Sequence, residues 1–250
     1  MNLTYLEIDQ QRSVYYDVIA EEGDEFFDRL AQSWLYHDHA LEGVVVGPED
    51  LERARLGLPA RNYCDGVLLH SLRALRETID FVHESAARGD ELSMDWLREV
   101  HRRLCPEGYD ACGQYRKRDT SPGVYHLTVA PANSISYHFH KFIDTYESEL
   151  KTMHPVRQAA IAHREFMKVF PFDERTGMVG RLMMNFILLK HNFPPAIIHA
   201  TDRHHYFGAL EAPQAELVAV LADALRSTIA AARLHQERTF GRTRRRRAAY

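Results

Sequence analysis

The sequence predicts a mainly all-α protein, one domain packed around a central helix running from Gly177 to about Lys190. Three observations lead there. The run Leu182-Met183-Met184-Asn185-Phe186-Ile187-Leu188-Leu189 is apolar on nearly every side, and a helix of that kind has to be enclosed by other elements. Apolar residues recur at helical spacing through most of the remaining chain. Only Val124-Tyr125-His126-Leu127-Thr128-Val129 has the β-branched and aromatic content of a strand, which predicts a short hairpin over 122–130.

In chain order, Phe26, Phe27, Leu30, Trp34 and Leu35 space as an amphipathic helix over 24–37 that leads to a stop at Glu42-Gly43. Gly47-Pro48 breaks the chain, and Pro48 starts a short helix to Leu56, ended by Gly57 and Pro59. Leu68, Leu72, Leu75, Ile79 and Val82 mark one face of a longer helix ending near Gly89. Ser93 is placed as the N-cap of Met94 to Leu104, and Pro106-Glu107-Gly108 closes that helix. A helical pattern resumes from Asn133 through Leu150. Pro155 opens the next, with Val156, Ala159, His163, Phe166 and Phe170 along one face. On that face His163 reads as a core histidine, and Met183-Met184 reads as core filling. Beyond Pro213, Leu217, Val220, Leu221, Leu225 and Ile229 carry a last helix to about Leu234. Arg242 and Arg244 to Arg247 form a basic tail, expected to be solvated and disordered, with an acidic partner as the alternative.

At 250 residues the chain is long enough for one substantial core, and 45% apolar with 26% charged residues is ordinary for a globular protein. A net charge of −4 is too small to argue for nucleic acid or a membrane as the main partner, and neither is expected. Cys64, Cys105 and Cys112 are odd in number and lack paired metal-ligand spacing, so the expected setting is a reducing cytoplasm. Residues 1–20 lack the shape of a signal peptide, and the longest apolar run is too short for a membrane span.

The stretch Phe170-Pro171-Phe172-Asp173-Glu174-Arg175-Thr176-Gly177-Met178-Val179-Gly180-Arg181 runs straight into the central helix. A turn that ends in Gly and opens a helix aims unpaired N–H groups, and the positive end of the helix dipole, at whatever lies before it. That arrangement suits an anion. On local pattern alone, a polar loop entering a core helix fits equally well.

The stretch resembles the motif His-Pro-Phe-x-Asp/Glu-Gly-Asn-Gly-Arg-x-x-Arg of Fic-domain proteins, whose best-known members transfer AMP from ATP to a protein hydroxyl. Pro171, Phe172, Glu174, Gly177 and Arg181 match it, and Leu182, Met184 and Asn185 match the Leu-Leu-Met-Asn that commonly follows. Phe170 stands where the family has its catalytic His, and Arg175, Thr176 and Met178 stand where it has Gly, Asn and the first Arg. Tyr36-His37-Asp38-His39-Ala40-Leu41-Glu42-Gly43 resembles the family's Tyr-His-Ser-Asn-x-Ile-Glu-Gly segment. Phe193-Pro194-Pro195-Ala196-Ile197-Ile198, with Arg203, Tyr206, Ala209 and Leu210, resembles its continuation, so the matches bracket roughly 30–212.

The resemblance implies a Fic-like helical fold, with 122–130 as a β-hairpin flap and Gly113-Gln114-Tyr115-Arg116 as the approach to it. It divides the chain into an N-terminal helical segment over 1–60 with an inhibitory-like motif, a core over 61–235 and the tail over 236–250. It also implies roles. Glu174 holds Mg²⁺, Arg175, Thr176 and Gly177 occupy the phosphate cradle of ATP or another nucleotide, Arg181 neutralises the phosphates, and Tyr125 and His126 belong to the flap. Glu42 reaches Arg181 and regulates the site.

Phe170 cannot accept a proton, and losing a positioned general base costs ~10²–10⁴-fold in rate, so ordinary adenylylation is expected to be lost. A replacement base would be Asp173, Glu174, or a histidine brought in from His126, His204 or His205. Two classes of function stay open. One is an enzyme with a changed reaction on a nucleotide, phosphate or other polar small ligand, with or without a protein target. The other is a pseudoenzyme that binds or regulates, and the oligomeric state, homo-oligomer included, is left open with it.

Overall fold

The central helix is enclosed as its composition requires. In the computed structural model, which describes residues 3–106, 108–123, 125 and 127–247, helix α8 spans Thr176–Lys190 and every residue from Thr176 to Leu188 is buried. The elements before it are α1 (Leu3–Gln11), α2 (Ser13–Leu41), α3 (Pro48–Arg55), α4 (Tyr63–Arg88), α5 (Met94–Leu104), α6 (Ile135–Ser148) and α7 (Pro155–Val169). Those after it are α9 (Arg203–Glu211) and α10 (Gln214–Arg247). Helices α7, α4 and α5 pack directly on α8, while α10 backs α7 and α2.

Local chemistry sets several helix ends where the sequence placed them, at Ser93, Pro48, Pro155, Gly43 and Gly89, whereas the helix expected over 24–37 runs over Ser13–Leu41. Ser93 Oγ accepts from the Trp96 N–H at 3.1 Å, which caps α5. Asn62 caps α4 by accepting from Asp65 N at 3.0 Å, and Gly89, in the left-handed region at φ 78°, closes it. Pro48 starts α3 behind Gly47, and Pro155 starts α7. At the end of α2, Gly43 takes φ 83°, with its N–H on Ala40 O at 3.0 Å and the Val44 N–H on His39 O at 3.0 Å. Glycine's freedom in the left-handed region makes this helix stop, and it leaves the Glu42 side chain at the very end of α2.

Two expectations are corrected. The described residues of 122–130 lie in turns and irregular backbone with no strand among them; Val124 and His126 fall outside the described residues. Their polar groups are satisfied elsewhere. Tyr125 N–H bonds Pro122 O, Ala130 N–H bonds Lys168 O, and Thr128 N–H bonds a Glu211 carboxylate, so no partner strand is needed. The basic stretch continues α10 as helix through Arg247, where disorder had been expected, and residues 248–250 lie outside the described set. Arginine is a good helix former, and a helix already nucleated on a packed face propagates readily.

Asn185 shows why a polar residue belongs in α8. Its Oδ1 accepts from Ala196 N–H at 2.7 Å and its Nδ2 donates to Ala196 O at 3.3 Å, which pins the Pro194-Pro195 segment to the helix.

Candidate functional site

The head of α8 is built from three directions. From α7, Phe170 ends the helix in the left-handed region at φ 46°, and its carbonyl accepts from Arg116 Nε at 2.8 Å. Arg116 is itself buried. It satisfies its other nitrogens on the carbonyls of Arg118 and Ala130, so one guanidinium clamps the 118–130 segment to the motif turn. Phe172 is fully buried and stacks on His101, with ring centroids 4.0 Å apart, beneath the turn. Burial holds His101 neutral, drawn down to about 4, and its Nδ1 accepts from Gly113 N–H at 2.8 Å. Thr176 is buried, and its hydroxyl both accepts from the Phe172 N–H and donates to Phe172 O, so it fastens the turn and presents nothing to a ligand.

Arg175 stands at the N-cap of α8 with φ 61°, a conformation that costs a residue with a Cβ roughly 1–2 kcal/mol. It gives α8 no side-chain cap, so the first N–H groups of the helix stay aimed into the site. Its Nη1 donates to Ser71 Oγ on α4 at 3.2 Å. Ser71 Oγ lies 3.0 Å from His39 Nε2, and His39 Nδ1 lies 2.8 Å from Leu35 O; a carbonyl only accepts, so Nδ1 carries the proton and Ser71 donates to Nε2. The motif turn, α4 and α2 are joined by this chain of bonds.

In front of the helix sits a closed polar cluster. Arg181, on the first turns of α8, donates from Nη2 to Glu42 Oε1 at 2.6 Å and from Nη1 to Tyr125 OH at 3.2 Å. Its Nε donates to Asp38 Oδ1. The Tyr125 hydroxyl donates in turn to Glu42 Oε1. Arg181 and Asp38 side chains are each 3% exposed and Glu42 is 22% exposed. Burial works against the Arg181 charge, but Asp38, Tyr125 and Glu42 outweigh it and hold its proton well above the ordinary range. Burial likewise pushes the Asp38 carboxyl up, and Arg181 opposes that push. A Cβ built on Gly177 would fall inside the Tyr125 hydroxyl and against Glu42, so these two groups close over the glycine at the helix end.

The expected site residues divide accordingly. Glu42, Gly177, Arg181 and Tyr125 come together. Glu174 and Arg175 line a cavity of about 430 Å³ with Glu42, His39, Ser71, Met178 and the apolar Val44, Val67 and Leu68. Asp173, although adjacent in sequence, opens onto a different cavity with Tyr109, Tyr115, Lys117 and Arg118. The two carboxylates thus line separate cavities. His204 lines a third cavity, of about 440 Å³, with Tyr125, Arg203 and Phe207; His205 is exposed and does not line it. His163 is fully buried, with Nε2 2.7 Å from Tyr206 OH, and burial draws it down to about 3. Phe170 is 7% exposed and packs edge-on to Tyr125.

No group of three or more metal-ligating side chains occurs among the described residues. The exposed Glu174 in a cavity shared with Glu42 fits Mg²⁺ when a phosphate ligand supplies the remaining oxygens. No described helix is long and apolar enough to cross a membrane. The sequence reading missed Asp38 as a partner of Arg181. The signal was present, since Asp38 and Glu42 are one helical turn apart and share a face of α2.

Comparison with known proteins agrees with this geometry. The model of the Fic/DOC family matches residues 91–188. The protein adenylyltransferase fic-1 of Caenorhabditis elegans is 30% identical over 189 residues, which is 71% of this chain and 35% of that protein. The protein adenylyltransferase Fic of Nematostella vectensis is 27% identical over 180 residues, 69% of this chain and 41% of that protein. The chain thus spans 35% to 41% of the length of these curated relatives. Among solved structures, residues 134–508 of C. elegans Fic-1 superpose with a TM-score of 0.77 at 20% identity, covering 94% of this chain and 72% of that one. A Fic-domain-containing signalling protein from Bacteroides thetaiotaomicron superposes with a TM-score of 0.75 at 20% identity, covering 90% and 97%. Motif turn, enclosed helix and relatives coincide, and the chain carries a Fic/DOC family domain over residues 91–188.

Proposed function

We propose that this chain is a Fic-type protein that takes a phosphate-bearing ligand at the head of α8, in competition with its own Glu42, and that it does not transfer AMP by the histidine-dependent route. One observation carries the reading. Glu42 and the Tyr125 hydroxyl, bound to Arg181, stand in front of Gly177 where a phosphate oxygen would lie, so the chain supplies its own stand-in for the anion. Phe170, buried in the position of the base, supports the second half, since no side chain there takes a proton from an acceptor hydroxyl.

Glu174, with phosphate oxygens, would hold Mg²⁺, which supplies neutralisation of phosphate charge when bound. Group transfer by a changed mechanism is the form of this reading that Glu174 favours, because its carboxylate is exposed on the wall of the same cavity as Glu42 and Arg175. A binding or regulatory module that kept the closed site without catalysis is the alternative.

Thermal-shift binding with nucleotides and nucleotide sugars, with and without Mg²⁺, together with AMP-transfer assays on candidate proteins, tests the reading. Stabilisation by at least one phosphate ligand with no AMP transfer is expected, and Phe170→His should not restore full transfer because Arg175, Thr176 and Met178 also depart from the motif. AMP labelling by the wild type at rates like those of an ordinary adenylyltransferase would overturn it. Ligand turnover that is lost in Glu174→Gln would select the enzyme, and binding without turnover would select the module.

A further inference from the structure

Resting on the anion site proposed above, we infer that Asp38 determines which phosphate ligand that site accepts. It keeps Arg181 paired after Glu42 withdraws and so restricts the site to phosphoryl groups of low charge. Three features lead there. Asp38 and Glu42 sit one turn apart on α2 and reach the same guanidinium from one side, so all three Arg181 nitrogens are used: Nε on Asp38, Nη2 on Glu42 and Nη1 on Tyr125. Asp38 is 2% exposed and is carried by the body of α2, whereas Glu42 is the C-cap residue and is partly exposed. The movable carboxylate is therefore the one at the helix end. Asp38 Oδ2 is buried with no hydrogen-bond partner, so no other group draws Asp38 away from Arg181.

The consequence is a matter of charge and of geometry. When Glu42 leaves, a site with a free arginine would offer a full positive charge together with the helix dipole. With Asp38 in place the Arg181–Asp38 pair is neutral, and the ligand meets the dipole, about half a charge, and the single nitrogen that Glu42 vacated. The side-on fork that pairs Nε with an Nη nitrogen is not available for bidentate phosphate recognition while Nε stays on Asp38. A phosphomonoester or phosphodiester suits such a site better than a polyphosphate, whose added charges find no counter-charge.

The test is calorimetric titration with AMP, ADP and ATP, without divalent cation, into Glu42→Gly and into Asp38→Asn/Glu42→Gly. For Glu42→Gly the three affinities should agree within about threefold. In the double variant ATP should gain about tenfold over AMP, because one uncompensated charge at contact distance is worth at least that much. Asp38→Ser/Glu42→Gly repeats the comparison should the asparagine variant fold poorly, and the Glu42→Gly series stands by itself without any change at Asp38. A tenfold preference of Glu42→Gly for ATP, or the same ligand order with and without Asp38, overturns the inference and leaves the anion site standing. Absence of nucleotide binding in every folded variant overturns the anion site itself.

Discussion

The two ends of α8 obey different rules. From Leu182 to Leu188 the helix is sealed on all sides, and its one polar side chain, Asn185, spends both donor and acceptor on the Ala196 backbone. At the other end Arg175 takes a left-handed conformation without being glycine, the first N–H groups lack a side-chain cap, and two carboxylates crowd one guanidinium while Asp38 Oδ2 goes unpaired. Strain and unpaired polar groups cost stability, and they persist where the surrounding structure over-determines them. One end of the helix holds the fold, and the other holds the strained backbone and the unpaired carboxylate oxygen.

The largest expected effect breaks the comparison most directly. Arg181→Met removes the guanidinium that joins Asp38 and Glu42 and leaves a buried carboxylate without that counter-charge, at a cost of about 3–5 kcal/mol. Asn185→Leu at the sealed end should cost less, about 1–3 kcal/mol, for two backbone groups left unsatisfied. Urea denaturation of both variants checks the order, and an Arg181→Met protein as stable as wild type would mean the cluster is not a paired unit.

Acid sharpens the contrast from the middle of the helix, where His163 packs beside Gly180. Burial, aided by the Arg181 charge, draws His163 down to about 3. An unfolded histidine titrates near 6.5, so below that pH the unfolded chain takes up a proton the native one refuses. Its stabilisation is present above pH 6.5 and is lost as pH falls toward the folded value, at about 1.4 kcal/mol per unit. His163→Gln should remove one group's share of that slope in denaturation between pH 7 and pH 5. An unchanged slope would show that His163 is not held neutral.

The smallest effect lies at Arg175. Both Arg175→Gly and Arg175→Ala lose the bond to Ser71, but only glycine is free of the Cβ penalty at φ 61°. The glycine variant should be the more stable by about 1 kcal/mol, the reverse of the order inside a helix. Alanine equal to or above glycine in thermal melts would mean the turn is not strained.

Much of this was legible in the sequence. Ser93, Pro48, Pro155, Gly43 and Gly89 mark helix ends through bonds made within a few residues, and the apolar run 182–189 could only be a surrounded helix. The link between Glu42 and Arg181 was legible through family resemblance, not through local pattern. What only the tertiary structure decided depends on contacts between residues far apart in the chain. Tyr125 reaches Glu42 across 83 residues and Arg181 across 56, and Asp38 reaches Arg181 across 143, distances over which periodicity and propensity carry no record. The same holds for Asp173 and Glu174, neighbours in sequence that the turn sends to separate cavities. It holds for the strand-like 122–130 as well, whose described backbone groups bond Lys168 and Glu211 in place of a partner strand. Local chemistry fixes where helices begin and end, but which charges meet in front of α8 is settled only when α2 and the Tyr125 segment close on it.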